Sequence, residues 1–271
     1  MIYLVLAFIG IIGIFYYNTF VWLVGSWQNN IYYSHGFLVP LISGYIIWSM
    51  RKELTAIEKK QSQAGLALFT GGILLQGIGI MWTIRFLSGL SLVVTISGII
   101  LFMYGWEFIK KIMFPILFLF LMIPVPFVDV IAPPLQTVSA IGTENLAYFV
   151  GIPVQRDGLI LQTPAGAFEV ALPCSGLRSV ISLLTIGVIF AFILEGGMLM
   201  KLIVIASSVP LALAGNILRI TSVLEVANKY GTEVAMNYFE GFSNLILFSI
   251  ALLGLFMVGR CFGRLRLKKI F

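Results

Sequence analysis

The sequence is short of charge, cysteine and histidine, and each shortage excludes a class of protein. Only 10% of its 271 residues are charged, whereas a soluble domain carries about a quarter. Two cysteines are too few for a disulfide framework, and nothing in the pattern predicts a metal site or a cofactor. The formal net charge of +6 is scattered at the ends of apolar runs, which favours membrane topology over a nucleic-acid-binding surface.

Long apolar runs fill most of the remaining sequence. The chain is 60% hydrophobic with a mean hydropathy of +1.05, and many windows of about 20 residues are almost free of charge. We therefore predict an all-α polytopic membrane protein that forms a single domain over 1–271 and has about eight transmembrane helices. The predicted spans are 2–24, 36–50, 64–84, 86–105, 112–131, 176–194, 198–223 and 243–260. The first lacks a basic leader and a cleavage site, so we expect it to be retained, and Pro124 and Pro126 are expected to end or kink the fifth.

The basic residues predict one orientation of these spans. Twelve of the 17 Lys and Arg residues lie in the connections that an inside N-terminus places in the cytoplasm. The long connection 132–175 is then extracytoplasmic. Its first part, 132–152, is expected to form an amphipathic helix at the interface. The alternation that follows, with Asp157-Gly158 and Pro164-Ala165-Gly166, predicts a small hairpin before the sixth span.

A cysteine lies at the outer mouth of the sixth span. Cys174 follows Pro173, and Arg178 comes one turn later on the same helix face. The thiolate is the reactive form of cysteine, and a helix N-terminus or a nearby arginine favours it. Arg219 near the outer end of the seventh span is an ionisable group inside the membrane, which is costly and indicates function. Both residues also have a structural interpretation. Cys174 can be a small buried hydrophobe, and Arg178 can extend its side chain to the interface.

Further polar residues fall at the same predicted membrane depth. His35 lies at the outer start of the second span, Asn216 three residues before Arg219, and Asn237 just before the eighth span. His35 and Asn237 also have structural interpretations, as a hydrogen-bonding side chain and as a helix-start residue. Oxyanion donors for acyl transfer are available in Arg219, in the Asn237 amide and in the backbone N–H groups around Ser175 and Gly176. Composition and spacing indicate an outward-facing polar site and leave its reaction open.

The motifs resemble those of a known family in order and spacing. They include "YSHGFLVPLISGYIIW", "FLMIPVPF", "VQRDG" with "FEVALPCSGLRS", "NILRI" and "NYFEG". Together they resemble the exosortase/archaeosortase family over residues from about 25 to 260. Pro173 stands where the family pattern usually has alanine, a small departure because proline suits the first turn of a helix.

The resemblance implies a membrane cysteine peptidase, acting as a transpeptidase, in the prokaryotic cytoplasmic (inner) membrane with its active site on the extracytoplasmic side. Its partners would be secreted proteins with a C-terminal sorting tail, made of a PEP-CTERM-like signature, a transmembrane helix and a basic cluster. Cys174 would be the nucleophile, Arg219 the second catalytic residue and Asn237 the third, at a position where members carry His, Asn or Arg. No nucleic acid is implied, and the oligomeric state stays open.

Two questions remain open at this point. An asparagine cannot act as a general base because its amide does not titrate, so either Arg219 maintains a Cys174 thiolate or His35 takes the proton. The alternative functions are a non-proteolytic membrane transferase, a transporter and a component of polysaccharide export. Neither of the last two requires Cys174.

Overall fold

The computed structural model describes residues 10–240 and 242–262, which fall into two compact units. The boundary lies between Pro126 and Phe127. The single domain over 1–271 stays a prediction.

The first unit is helical throughout. Residues 10–15 are helical, and the elements that follow are α1 (Tyr17–Asn29), a 3-10 turn (Ser34–Phe37), α2 (Leu38–Ser49), α3 (Arg51–Ala56), α4 (Gln63–Met81), α5 (Arg85–Tyr104), α6 (Trp106–Lys111), α7 (Met113–Phe118) and a second 3-10 turn (Leu119–Met122). The main contact is between α4 and α5. Small residues allow it, since a Cβ at Gly65 would lie 2.1 Å from the backbone nitrogen of Phe102.

The second unit combines helices with a small sheet. Its elements are α8 (Val128–Phe149), β1 (Gln155–Asp157), β2 (Ile160–Thr163), β3 (Gly166–Glu169), a 3-10 turn (Leu172–Cys174), α9 (Leu177–Ile193), α10 (Met198–Tyr230), α11 (Thr232–Glu240) and α12 (Phe242–Phe262). Helix α10 is the central element, because α8, α9, α11 and α12 all contact it.

Three helices of the described residues are long and apolar enough to cross a membrane, namely α4, α5 and α10. Shorter apolar helices cover Met113–Met122, Leu177–Ile193 and Phe248–Cys261. The polytopic helical class is therefore supported, while the count of eight spans stays a prediction. The first predicted span, 2–24, lies partly outside the described residues.

The predicted fifth span, 112–131, is interrupted. Helical structure ends at Met122 and resumes at Val128, with Pro124 and Pro126 between them. A proline lacks the backbone N–H and disfavours helix in the residue before it, so the two prolines end the helix as predicted. Helix α8 then begins four residues before the predicted amphipathic helix at 132, with Pro133 and Pro134 inside it.

The predicted hairpin is part of a larger sheet. Residues 155–169 form a three-stranded antiparallel sheet in the order β1-β2-β3. Gly158, at a φ of +61°, forms part of the first turn, which is the backbone conformation that glycine tolerates best. Arg156 on β1 holds the sheet to α8, because its Nε donates to a Glu144 carboxylate oxygen over 2.8 Å and its backbone N–H donates to the other oxygen over 3.2 Å.

Candidate active site

Cys174 lies in a tight turn immediately before α9. Its N–H donates to the Ala171 carbonyl over 2.8 Å, and the Ser175 N–H donates to the Leu172 carbonyl over 3.1 Å. Gly176 then takes a left-handed φ of +83° and begins α9. A Cβ at Gly176 would lie 3.2 Å from the Asn216 amide nitrogen. Glycine suits this position because it tolerates the positive φ and has no side chain that would press against Asn216 of α10.

A buried hydrogen-bond network fixes the backbone around Cys174. The Asn216 Nδ2 donates to the Cys174 carbonyl over 2.7 Å and to the Ser139 Oγ over 3.0 Å. The Ser139 Oγ in turn donates to the Ser175 carbonyl over 3.2 Å. Both polar side chains are almost fully buried, so these bonds are protected from competition with water. Helices α8 and α10 together hold the turn that carries the thiol.

Arg219 lies one turn beyond Asn216 on α10, with 9% of its surface exposed. Burial raises the pKa of the Cys174 thiol, and the positive charge of Arg219 acts in the opposite direction. Since burial is the larger effect, the neutral thiol is the favoured form in the free chain near neutral pH.

A cavity of about 370 Å³ opens beside the thiol. One side consists of residues 167–171 with Leu161 and Cys174, and the other side is apolar. The apolar side consists of Ile220, Val223, Leu224 and Met236. Its size and apolar lining suit a short segment of peptide.

The two predicted backbone donors differ in availability. The Ser175 N–H already donates to Leu172, and its hydroxyl accepts from the Leu177 N–H over 3.3 Å. Of the two amides, Gly176 therefore remains the candidate oxyanion donor. Ser175 is fully buried in the turn that carries Cys174.

The remaining predicted site residues either do not line the cavity or lie in the other unit. Arg178 is exposed in the first turn of α9, and its charge repels that of Arg219. Asn237 is exposed on α11, where its neighbour Met236 lines the cavity. His35 belongs to the first unit, where burial lowers the pKa of its imidazole and favours the neutral form.

The sequence interpretation did not identify the contribution of α8. Besides Ser139, Gln136 contacts the site region by donating to the Val170 carbonyl over 2.6 Å, at the end of β3. The signal was present as polar residues at positions 136, 139 and 143 of an apolar helix, a spacing that places them on one face. The sequence predicts only an amphipathic helix at the interface here. Within the described ranges, no three His, Cys, Asp or Glu side chains are grouped to hold a metal ion.

Comparison with known families gives one match that covers most of the chain. The family model described as transmembrane exosortase matches residues 27–257, which include the Cys174 turn, Arg219 and Asn237. Comparison with curated proteins gives no match, and comparison with solved structures gives none either.

Proposed function

Because the chain belongs to the transmembrane exosortase family, we propose that it is a cysteine peptidase and transpeptidase of the membrane. Its substrates are secreted proteins with a C-terminal tail that contains a signature, a transmembrane helix and a basic cluster. Cleavage takes place on the extracytoplasmic side of the prokaryotic inner membrane. Family membership and the apolar helices support the integral membrane location, and the basic connections support the orientation.

The observation that carries the proposal is the environment of Cys174. The thiol borders the apolar cavity, the charge of the buried Arg219 acts on it, and the turn that carries it is fixed by Asn216 and Ser139. A structural cysteine requires none of these features. A nucleophile requires all three, namely access, stabilisation of the anion and a fixed position.

The first half of the reaction forms a thioester. The Cys174 thiol loses its proton to water, and the Sγ attacks the carbonyl carbon of the scissile peptide bond, so that the carbonyl oxygen becomes an oxyanion. Arg219 and the Gly176 amide stabilise that charge. The C–N bond then breaks, the departing nitrogen takes a proton, and the tail with its transmembrane helix leaves as an amine.

The second half decides between hydrolysis and transfer. Attack by water on the thioester carbonyl releases a free carboxylate, and attack by an amine forms a new amide bond. In either case the Cys174 sulphur leaves as a thiolate and takes a proton to restore the enzyme. The family description supports transfer.

Asn237 is assigned an orienting role in this scheme. Its amide can donate and accept hydrogen bonds but cannot remove a proton, and its exposed position beside the cavity residue Met236 suits contact with the substrate. His35 lies in the other unit, and its part in the reaction stays a prediction from the sequence.

The membrane supplies much of the substrate recognition. A substrate anchored by its own helix presents the scissile bond at a fixed depth and diffuses in two dimensions. Both effects raise the effective concentration of the bond at Cys174, so that few binding contacts are needed.

The test is the C-terminal mass of a tailed secreted protein from the same genome. It is co-expressed with the wild type, with Cys174→Ala and with Cys261→Ala. The last variant is a matched control because Cys261 is the second free cysteine. We expect loss of the tail with the wild type and Cys261→Ala but not with Cys174→Ala, and an added mass identifies transfer.

Other results overturn the proposal. Processing by Cys174→Ala excludes the cysteine mechanism, and absence of processing by the wild type, across every tail of this type in the genome, excludes a peptidase for them. A transporter or export component retains its function in Cys174→Ser. A membrane transferase loses function in Cys174→Ser and leaves the tail intact.

A further inference from the structure

The third strand of the small sheet has an edge that no other strand covers in the described part of the chain. The order is β1-β2-β3, so β3 (Gly166–Glu169) pairs with β2 on one side only. Beyond β3 the backbone continues through Val170 and Ala171 into the Cys174 turn. The exposed edge therefore leads directly to the thiol.

The hydrogen-bond pattern identifies which groups face this edge. Val170 N–H donates to the Leu159 carbonyl over 2.9 Å, towards β2. Because antiparallel neighbours alternate in direction, Phe168 also faces β2, while Ala167 and Glu169 face away. The Glu169 carbonyl accepts from the Ala171 N–H over 2.9 Å. The N–H and C=O of Ala167 and the N–H of Glu169 are thus directed to the open edge.

The cavity beside Cys174 runs along the same edge. Its lining includes the five consecutive residues from Ala167 to Ala171. Successive strand residues point to opposite faces of a sheet, so a cavity lined by all five reaches the edge of β3. The cavity also extends over one face of the sheet, because Leu161 of β2, the partner of Phe168, lines it as well. The opposite wall, formed by residues of α10 with Met236 of α11, is apolar.

We propose that the substrate binds as a fourth strand on the open edge of β3. The occupant is the extended segment of the tailed protein that immediately precedes its transmembrane helix, so the inference rests on the proposed function. Main-chain hydrogen bonds to Ala167 and Glu169 align this segment with Cys174, as in other cases of strand addition. Alternate side chains then enter the apolar cavity and provide the sequence preference.

This mode of binding suits the proposed reaction and also explains two features of the site. Main-chain pairing accepts many sequences and fixes the scissile carbonyl relative to the backbone that carries the thiol. It also explains the small side chain at Ala167, which leaves the edge accessible, and the hydrogen bond from Gln136 that holds the end of β3 at Val170.

The first test is thiol crosslinking in a background without native cysteine. The chain has only two cysteines, so Cys174→Ala with Cys261→Ala removes both and also prevents turnover. Ala167→Cys is added, and single cysteines are placed at each position of the segment before the transmembrane helix of a tailed reporter. A short bifunctional thiol reagent then joins neighbours in the membrane. If the segment binds as a strand, strong crosslinks occur at every second position. Crosslinks at every third or fourth position indicate a helix and overturn the inference.

The second test compares two substitutions at one position. Ala167→Pro removes the outward N–H without removing a bond between β2 and β3, and Ala167→Ser retains that N–H with a similar volume. We expect cleavage of the reporter to be about ten-fold or more lower with proline than with serine, because proline alone loses one aligning hydrogen bond and its geometry. Equal cleavage by both variants overturns strand addition.

Wild-type cleavage of the same reporter separates the two proposals. Cleavage with alternating crosslinks supports both. Cleavage without alternation overturns strand addition alone. Alternating crosslinks without wild-type cleavage support the binding mode and contradict the peptidase. The absence of both overturns both for that reporter.

Discussion

Two buried amide side chains, one in each unit, have opposite hydrogen-bonding environments. Gln76 lies inside the apolar helix α4, and each of its two polar side-chain atoms has a partner. Its Nε2 donates to the Phe15 carbonyl and to the Thr19 Oγ1, each over 3.1 Å, and its Oε1 accepts from the Ser91 Oγ over 3.0 Å. Asn216 on α10 donates twice through Nδ2, but its buried Oδ1 has no partner among the described residues.

The difference distinguishes two uses of polarity in a membrane protein. A fully bonded amide stabilises helix packing, because hydrocarbon offers no other partner. A buried acceptor without a partner costs free energy and requires an explanation. Next to Asn216 lie the Cys174 carbonyl, the left-handed Gly176 and the buried Arg219. The second unit therefore tolerates at Asn216 a cost that the first unit avoids at Gln76, as expected where position serves catalysis.

The largest expected effect is at Arg219, the buried charge beside Asn216. Arg85, which lines a cavity together with Gln76, is exposed. Arg219→Gln removes a positive charge from the oxyanion and from the Cys174 sulphur. We expect cleavage to fall by about a hundred- to a thousand-fold, as for the loss of one oxyanion donor. The rate of tail removal from a reporter measures the effect. Arg178→Gln is the control, because Arg178 is exposed, and an equal loss there would contradict a specific role for Arg219.

The same substitution has a distinct pH signature. Burial raises the pKa of Cys174 and Arg219 lowers it, so the thiolate forms as the pH rises through a pKa that is higher than usual. Without Arg219 that pKa rises further, and the midpoint of iodoacetamide alkylation moves to higher pH. The measurement is made in the Cys261→Ala background so that only one thiol reacts. An unchanged midpoint, or one at lower pH, would show that the charge does not act on the thiol.

The next effect tests the two amides directly. Gln76→Leu and Asn216→Leu each remove buried hydrogen bonds, and we expect each to lower the free energy of unfolding in detergent by about 1–3 kcal/mol. Cleavage per folded molecule separates them. It should stay near wild type for Gln76→Leu and fall about ten-fold or more for Asn216→Leu, because small displacements of a nucleophile are costly.

A fall in kcat at constant KM for Asn216→Leu would identify a positioning role. Equal cleavage per folded molecule in the two variants would remove the distinction between the amides. Rescue by Asn216→Gln is not expected, since the longer side chain would approach Gly176 too closely.

A smaller effect is expected at the glycine that follows the cysteine. Gly176 and Gly151 have similar positive φ angles, +83° and +79°, but only Gly176 lies against another side chain. Alanine at either position incurs about 1 kcal/mol or more of backbone strain. Gly176→Ala should also displace Asn216 and lower cleavage per folded molecule, whereas Gly151→Ala should lower stability alone. Thermal unfolding in detergent and reporter cleavage measure the two effects, and equal cleavage in both variants would contradict the coupling.

Much of this site was predictable from the sequence because its chemistry is carried by unusual residues in an apolar background. Cys174, Gly176 and Arg219 are conspicuous there, and the proline interruption at 124–126 was predicted from proline stereochemistry. The third strand was not predicted, since residues 166–169 are too few to show a convincing alternation.

The contribution of α8 could not be predicted for a different reason. Ser139 and Gln136 are ordinary residues of a moderately polar helix, and the sequence does not indicate which surface covers them. Only tertiary packing brings Ser139 to the Ser175 carbonyl and Gln136 to the Val170 carbonyl. Side chains that bind backbone groups carry no residue-pair signature in a single sequence, so supports of this kind are found only in the structure.

The smallest effect tests whether the sheet depends on its ion pair with α8. Glu144 and Arg156 are each about a third exposed, so Glu144→Gln should cost only ~0.5–1 kcal/mol, and less at high salt. Glu225→Gln is the matched control, because the Glu225–Lys229 pair is within one helix turn and more exposed, and no measurable change is expected there. Since β1 reaches β3 only through β2, loosening β1 should raise hydrogen exchange at Arg156 and Asp157 more than at Val170, whose N–H donates to the Leu159 carbonyl. Equal exchange along the sheet would show that the ion pair holds the binding edge as well, and Glu144 would then belong with Asn216 among the residues whose loss lowers cleavage.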